Sequence, residues 1–231
     1  MRKSFLLLLI ALPSLLFARI DNERFHALYF LDGEMEGGSP VNNPTPRQPK
    51  GPFYPHEFPD DTDADLTILD GAEEMAEGKV IYLQGHVLDV YGNPLENARV
   101  EIWQAAKSGK YNHPNDPNTA PLDPHFQYYG DVKTNEHGFY MFKTIVPGAY
   151  PASQNWWRPP HIHFLVQHEG HRSVITQLYF KDHLLNEEDL ILRRLSPENQ
   201  EALTVDFPEV TLETGETINL GTFNIILGAS N

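Results

Sequence analysis

Two histidines separated by one residue are the first feature with chemical potential. They lie in Arg158-Pro159-Pro160-His161-Ile162-His163-Phe164. Alternate residues of a β-strand share a face, so His161 and His163 point one way while Ile162 and Phe164 point the other. Imidazole is a good ligand for iron, copper, nickel and zinc, and two side by side on one sheet face form half a metal site. The same spacing suits two hydrogen-bonded histidines facing solvent, so the pair alone leaves both readings open. Two tyrosines in turn-rich loops add candidate oxygen donors. Tyr111 sits in Gly109-Lys110-Tyr111-Asn112-His113 and Tyr150 in Pro147-Gly148-Ala149-Tyr150-Pro151. Neither loop needs a tyrosine for core packing, although each tyrosine taken alone is an ordinary surface or packing residue.

Strands must hold these side chains. Residues 79–90 alternate, with Ile81, Leu83 and Val87 on one face and Tyr82, Gln84 and His86 on the other. Tyr91-Gly92-Asn93-Pro94 marks a turn, and residues 98–103 form a second strand ending at Trp103. A polar loop over 105–130 follows, then strand-like segments at 139–145, 161–167, 174–180 and 222–227. This density of short strands and turns predicts a mainly β fold, an antiparallel β-sandwich with long loops and little helix. The clearest helix signal is Ser196-Pro197-Glu198-Asn199-Gln200, an N-cap serine followed by proline and a glutamate in the first turn. Residues 37–55 are loaded with Gly, Pro and Asn and lack periodicity, so 19–78 reads as an extended N-terminal arm and 79–231 as the sandwich domain.

Composition removes several classes. There is no cysteine among the 231 residues, which excludes disulfide scaffolds, iron–sulfur clusters, thiolate zinc sites and cysteine nucleophiles. The formal charge of -15 argues against nucleic acid as a partner, since nothing could neutralise a run of phosphates. At the N-terminus, Arg2 and Lys3 precede an apolar run from Phe5 to Phe17, and the small Ala18 follows. That is the layout of a secretory signal peptide, residues 1–18, cleaved near Ala18. Its removal takes two basic residues and no acidic one, moving the charge from -15 to -17. The expectation is a periplasmic or secreted protein with no membrane association after cleavage.

The motifs occur in a telling order. They run Gly85-His86-Val87-Leu88-Asp89, Val100-Glu101-Ile102-Trp103-Gln104-Ala105, Gly109-Lys110-Tyr111, Asn115-Asp116 and Leu122-Asp123-Pro124. Pro147-Gly148-Ala149-Tyr150-Pro151, the Arg158–Phe164 run and Ile175-Thr176-Gln177-Leu178-Tyr179-Phe180 complete the series. Together they resemble the intradiol ring-cleavage dioxygenases, most of all the protocatechuate 3,4-dioxygenase subunits, from about Gly51 to Phe180. The resemblance implies a mononuclear non-haem Fe(III) site with Tyr111, Tyr150, His161 and His163 as ligands. Tyr111 matches the tyrosine that stays bound and Tyr150 the one that leaves when substrate arrives. Arg158 matches the arginine beside the iron, Gln177 the pocket glutamine, and Trp103 a tryptophan on the substrate side. The implied reaction uses O2 to cleave a catechol between its hydroxyl-bearing carbons, giving a muconate-type diacid, and makes 79–231 a catalytic domain.

Departures from that family bear on the substrate. The segment between Tyr150 and Arg158 is short, as in the protocatechuate group, but Ala152 stands where those enzymes carry Trp. Protocatechuate, catechol, hydroxyquinol and larger polyphenolic diols all stay open, as does assembly into a homo-oligomer. Two other classes compete. A non-catalytic exported binding module of carbohydrate-binding or transthyretin-like type would use the 85–104 strand–turn–strand, but it leaves the Tyr and His set unexplained. A zinc hydrolase at His161 and His163 lacks an obvious third ligand. His168 and His171 flank a turn, His113 and His125 lie in the long loop, and Asp60 to Asp65 reads as a solvated turn whose spacing does not suit calcium.

Overall fold

The computed structural model describes residues 43–230, so the signal-like segment 1–18 lies outside the described residues, as does the arm before 43. Two five-stranded sheets form the body. In the first, β1 (Val80–Asp89) is central and pairs antiparallel with β4 (Phe139–Ile145) along one edge. Its other edge takes β11 (Thr217–Thr222) and then β12 (Ile225–Leu227), both parallel to it, with β10 (Glu209–Thr211) outside β11. The second sheet has the order β3 (Tyr129–Lys133), β2 (Arg99–Trp103), β7 (His161–Gln167), β8 (Val174–Phe180), β9 (Thr204–Val205). A small hairpin of β5 (Tyr150–Ser153) and β6 (Trp156–Arg158) stands apart. The expected strands are therefore present and the fold is mainly β. The sheets are mixed, because the C-terminal strands return parallel to β1 and β8.

Between the sheets lies the main core. Ile81, Leu83 and Val87 of β1 face Val100 and Ile102 of β2 and Ile162, Phe164 and Val166 of β7, all essentially inaccessible. Each such buried side chain contributes about 1.5–3 kcal/mol. The second face of β1 is covered as well: Tyr82 packs with Phe139, Met141, Ile218 and Leu220. The single strand expected over 222–227 is broken at Phe223, whose carbonyl accepts from Tyr140 Oη (2.5 Å) and whose N–H donates to Gln84 O (2.8 Å). Any side chain at Gly85 would run into that carbonyl, which explains the glycine in mid-strand. The helix signal is also realised: α1 (Pro197–Ala202) starts after Ser196, whose hydroxyl accepts from Asn199 N at 3.3 Å.

The described part of the arm, 43–78, holds no strand beyond an isolated bridge at Asp65, yet it is fastened across the body. Thr45 N donates to Ile226 O and Gln48 N to Ile175 O, at 3.1 and 2.9 Å. Thr176 Oγ1 and Gln177 Nε2 donate back to Pro46 O and Pro49 O, each at 2.7 Å. Leu66 enters the main core. The acidic run is structural: Asp61, Asp63 and Asp65 cap successive turns, and Asp65 pairs with Lys143 at 2.8 Å.

Candidate metal centre

Strand β7 sets the geometry. Its alternation buries Ile162 and Phe164 in the main core and turns His161 and His163 to the opposite face, with ring centroids 4.8 Å apart. The two loops that carry the tyrosines meet over this face. Gly109 (φ +77°) precedes Tyr111 by two residues, and a Cβ there would lie 2.5 Å from Ala149 O. Gly148 precedes Tyr150 by two, and its Cβ would strike Lys107 O and Gly109 N. Only glycine at both points lets the loops interlock, which brings Tyr111 and Tyr150 within 5.5 Å, edge to face. Tyr111 Oη lies 3.4 Å from His161 Nε2, and the Tyr150 ring is 5.7 Å from that of His161. The four residues expected as ligands thus form one cluster, each at most 7% exposed.

The surroundings fix each group. His161 Nδ1 lies 2.7 Å from Pro159 O, so it carries the proton and donates, leaving the lone pair on Nε2. Trp103 sits across from His163 on β2 and stacks on it at 4.8 Å and 8°. Gly51 (φ +73°) brings the arm against His163, where a Cβ would lie 3.2 Å from Cε1. Phe53 seals Tyr111 at 4.7 Å and Tyr150 at 6.0 Å. Arg158 is held on three sides: Nε donates to Asp189 Oδ2 (2.7 Å), and Nη2 donates to Gln177 Oε1 (2.6 Å) and Tyr179 Oη (3.2 Å). Both ends of the Gln177 amide are thereby engaged, since Nε2 is spent on Pro49 O.

Electrostatics keep the four donors neutral. Burial, then the Arg158 charge, holds both imidazoles well below the usual histidine value, which favours the neutral ring with a single proton. Burial, then Tyr150, pushes the Tyr111 phenol well above its ordinary value, and burial raises Tyr150 too. His163 Nδ1 is buried without a hydrogen-bond partner, which a completed protein interior does not tolerate cheaply. Two phenol oxygens and two imidazoles, without thiolate, make a donor set for a hard, highly charged ion. Among the described residues no three His, Cys, Asp or Glu converge, so the third ligand of a zinc hydrolase is missing. Trp103 and Tyr111 are 1% and 2% exposed, so neither is a surface aromatic of the kind a binding module presents.

Other candidates fall elsewhere. His113 is buried against His56 (4.4 Å) and Phe53, and burial lowers its pKa. His125 pairs with Glu74 at 2.9 Å. His168 and His171 meet across their turn, Nδ1 to Nδ1 at 3.0 Å. Phe53, Gly51 and Asp189 carried no signal in the sequence, because each acts through contacts distant along the chain. Tyr179, by contrast, was inside a recognised motif.

A family model described as Dioxygenase matches residues 50–229. The protocatechuate 3,4-dioxygenase beta chain of Burkholderia cepacia is 37% identical over 185 residues, covering 78% of each chain. Catechol 1,2-dioxygenase of Acinetobacter baylyi is 32% identical over 171 residues, 65% of this chain but only 51% of that one. The chain therefore spans about half of that relative's length. Among solved structures, the dioxygenase domain of a dioxygenase–carbohydrate-binding fusion from Streptomyces sp. SirexAA-E superposes with a TM-score of 0.60 at 26% identity. The match covers 81% of this chain and all of that one (100%).

Proposed function

The chain belongs to the intradiol ring-cleavage dioxygenase family, and from that premise we propose that it opens a catechol-type diol with O2 at ferric iron held by Tyr111, Tyr150, His161 and His163. The observation that carries this reading is the convergence of those four side chains in one buried cluster, with the His161 Nδ1 proton spent on Pro159 O. A phenol kept protonated by burial becomes a phenolate beside a strongly positive ion, and two phenolates offset much of a trivalent charge. When bound, the iron would supply a Lewis acid and a template for both oxygens of the diol.

The remaining work falls to the chain. Tyr150 stands in the wall of the adjoining cavity, where its oxygen, ionised beside a bound ion, would accept one of the diol protons. Tyr111, sealed by Phe53, would hold the ion from the side away from the cavity wall, in line with its match in the family resemblance. Trp103, stacked on His163, fixes the plane of that imidazole. Arg158 also lines the cavity and presents fixed positive charge to the negative charge that develops on the ring. Gln177 positions Arg158 through its Oε1 rather than reaching the substrate. The names of the relatives bracket the compact candidates, protocatechuate and catechol.

Purified protein loaded with iron should be red-brown from tyrosinate-to-iron charge transfer, and anaerobic catechol should shift the band. Colourless protein holding stoichiometric zinc would overturn the iron assignment. Tyr111→Phe should lose much of the colour, and an unchanged spectrum would remove Tyr111 from the ligand set. The signal-like residues 1–18 support export to the periplasm or medium. A mature chain starting near Arg19 in that compartment is the expected result, and an uncut cytoplasmic chain would contradict it.

A further inference from the structure

The centre opens into a cavity of about 650 Å³, walled by the arm at Phe53, the loop at Asn115–Thr119, the β5–β6 hairpin and Ile191. Pockets of about 300–1,000 Å³ hold drug-sized ligands, so this space far exceeds a single catechol ring. The side chain of Ala152, on the hairpin wall, is the smallest that still carries a Cβ, and it leaves the space open. The charge of the wall is equally informative. Among the described residues it holds one cation, Arg158, and one anion, Asp116.

Neither charge is available to a ligand carboxylate. Arg158 is 5% exposed at the side chain and already paired with Asp189 at 2.7 Å. Asp116 accepts from Tyr111 N (2.6 Å) and Asn118 N (2.8 Å) and lies 3.9 Å from Lys110 Nζ, so it is fixed in the wall with its charge already paired. The nearby cations are already engaged: Lys110 Nζ pairs with Asp116 and donates to the carbonyls of Asp116 and Asn118 at 3.0 and 2.5 Å, and Lys50 lies over the Tyr54 ring at 3.2 Å. The rest of the wall is apolar or neutral: Phe53, Pro151, Trp156 and Ile191 against the amides and hydroxyl of Asn115, Asn118 and Thr119. Burying a carboxylate there would cost its hydration without a counter-charge.

Resting on the dioxygenase reading, we propose that this pocket takes a catechol extended by a bulky, uncharged, oxygen-bearing substituent, in preference to a catechol carboxylate. The diol end meets the tyrosine–histidine cluster. The substituent lies between Phe53 and the β5–β6 hairpin, its oxygens served by Asn115, Asn118 and Thr119.

The test compares protocatechuate, its methyl ester, catechol and 4-(4-hydroxyphenyl)catechol on the iron-loaded full chain. Oxygen uptake gives kcat/KM, and anaerobic calorimetric titration ranks the same ligands without turnover. The methyl ester should exceed protocatechuate by about tenfold or more in both assays, because it removes the charge and adds only one methyl group. The hydroxyphenyl catechol should equal or exceed catechol, and Ala152→Trp should lower its advantage over catechol by about tenfold, since the indole fills the space it needs. Protocatechuate leading in both assays, or exclusion of the extended catechol, would overturn the pocket assignment and leave the dioxygenase reading intact. The expected binding order without any ring opening would do the reverse. Failure of every ligand to bind would sink both.

Discussion

Asp189→Asn isolates the ion pair that holds Arg158. The two side chains are 0% and 5% exposed, and Nε to Oδ2 is 2.7 Å. At a charge separation of about 4 Å and an effective dielectric of about 20, the attraction is about 4 kcal/mol. Truncating one partner of a buried pair costs about 3–5 kcal/mol, because the survivor stays buried and uncompensated. Asparagine keeps the volume, and its carbonyl can still accept from Ile191 N and Leu192 N, which Asp189 Oδ1 serves at 3.0 and 2.7 Å. The expected loss is therefore about 3 kcal/mol, the lower end of that range. At an m-value of about 2 kcal/mol/M, the urea midpoint should fall by about 1.5 M. The kcat/KM for a catechol should drop as Arg158 loses its anchor, while the iron-linked colour stays. Arg158→Met/Asp189→Leu separates the two effects, since replacing the whole pair with apolar residues should recover most of the stability and none of the activity. A midpoint within about 0.5 M of the parent, with unchanged kcat/KM, would refute the idea that Asp189 positions Arg158.

Further expectations follow from the same contacts. Gly148→Ala forces a Cβ into Lys107 O and Gly109 N, so about 1–3 kcal/mol of stability and the iron-linked colour should be lost together; a coloured, equally stable variant would show that the loops need not interlock. Glu101 is buried and accepts from Tyr54 Oη (2.7 Å) and Tyr129 Oη (2.9 Å), with Arg99 at 3.0 Å. Glu101→Gln should cost about 1.5–3 kcal/mol by urea denaturation, and a loss below about 0.5 kcal/mol would deny those bonds their weight. Phe53→Ala, which unseals both tyrosines, should cost about 3–5 kcal/mol and blue- or red-shift the iron band; an unmoved band would mean that Phe53 does not shape the centre.

Much of the fold was legible because β-structure writes itself with a period of two. The His161/His163 face, the core side of β1 and the helix cap at Ser196 all follow from local rules, and each stands where those rules put it. What stayed illegible is non-local. The covered second face of β1 depends on β4 and on β11, the latter more than a hundred residues away, and the break at Phe223 depends on where Gly85 falls. Residues 45–49 of the arm read as featureless because their bonds are made with β8 and β12 rather than among themselves. Phe53 and Gly51, two arm residues that touch the centre, lie in a Gly- and Pro-rich stretch with no periodicity to mark them. The two glycines before the tyrosines were visible as turn signals, but only the interlocked loops explain why both positions need glycine. Nothing local pairs Arg158 with Asp189, because the two meet only once the chain between them has folded back.

Ring cleavage between the hydroxyl-bearing carbons leaves a distinct isotopic record. Iron-loaded protein turning over a neutral catechol under oxygen-18 gas, with mass spectrometry of the product, should yield a muconate-type diacid carrying both atoms of one O2. A semialdehyde from cleavage beside the diol, or a quinone without incorporated label, would contradict the account.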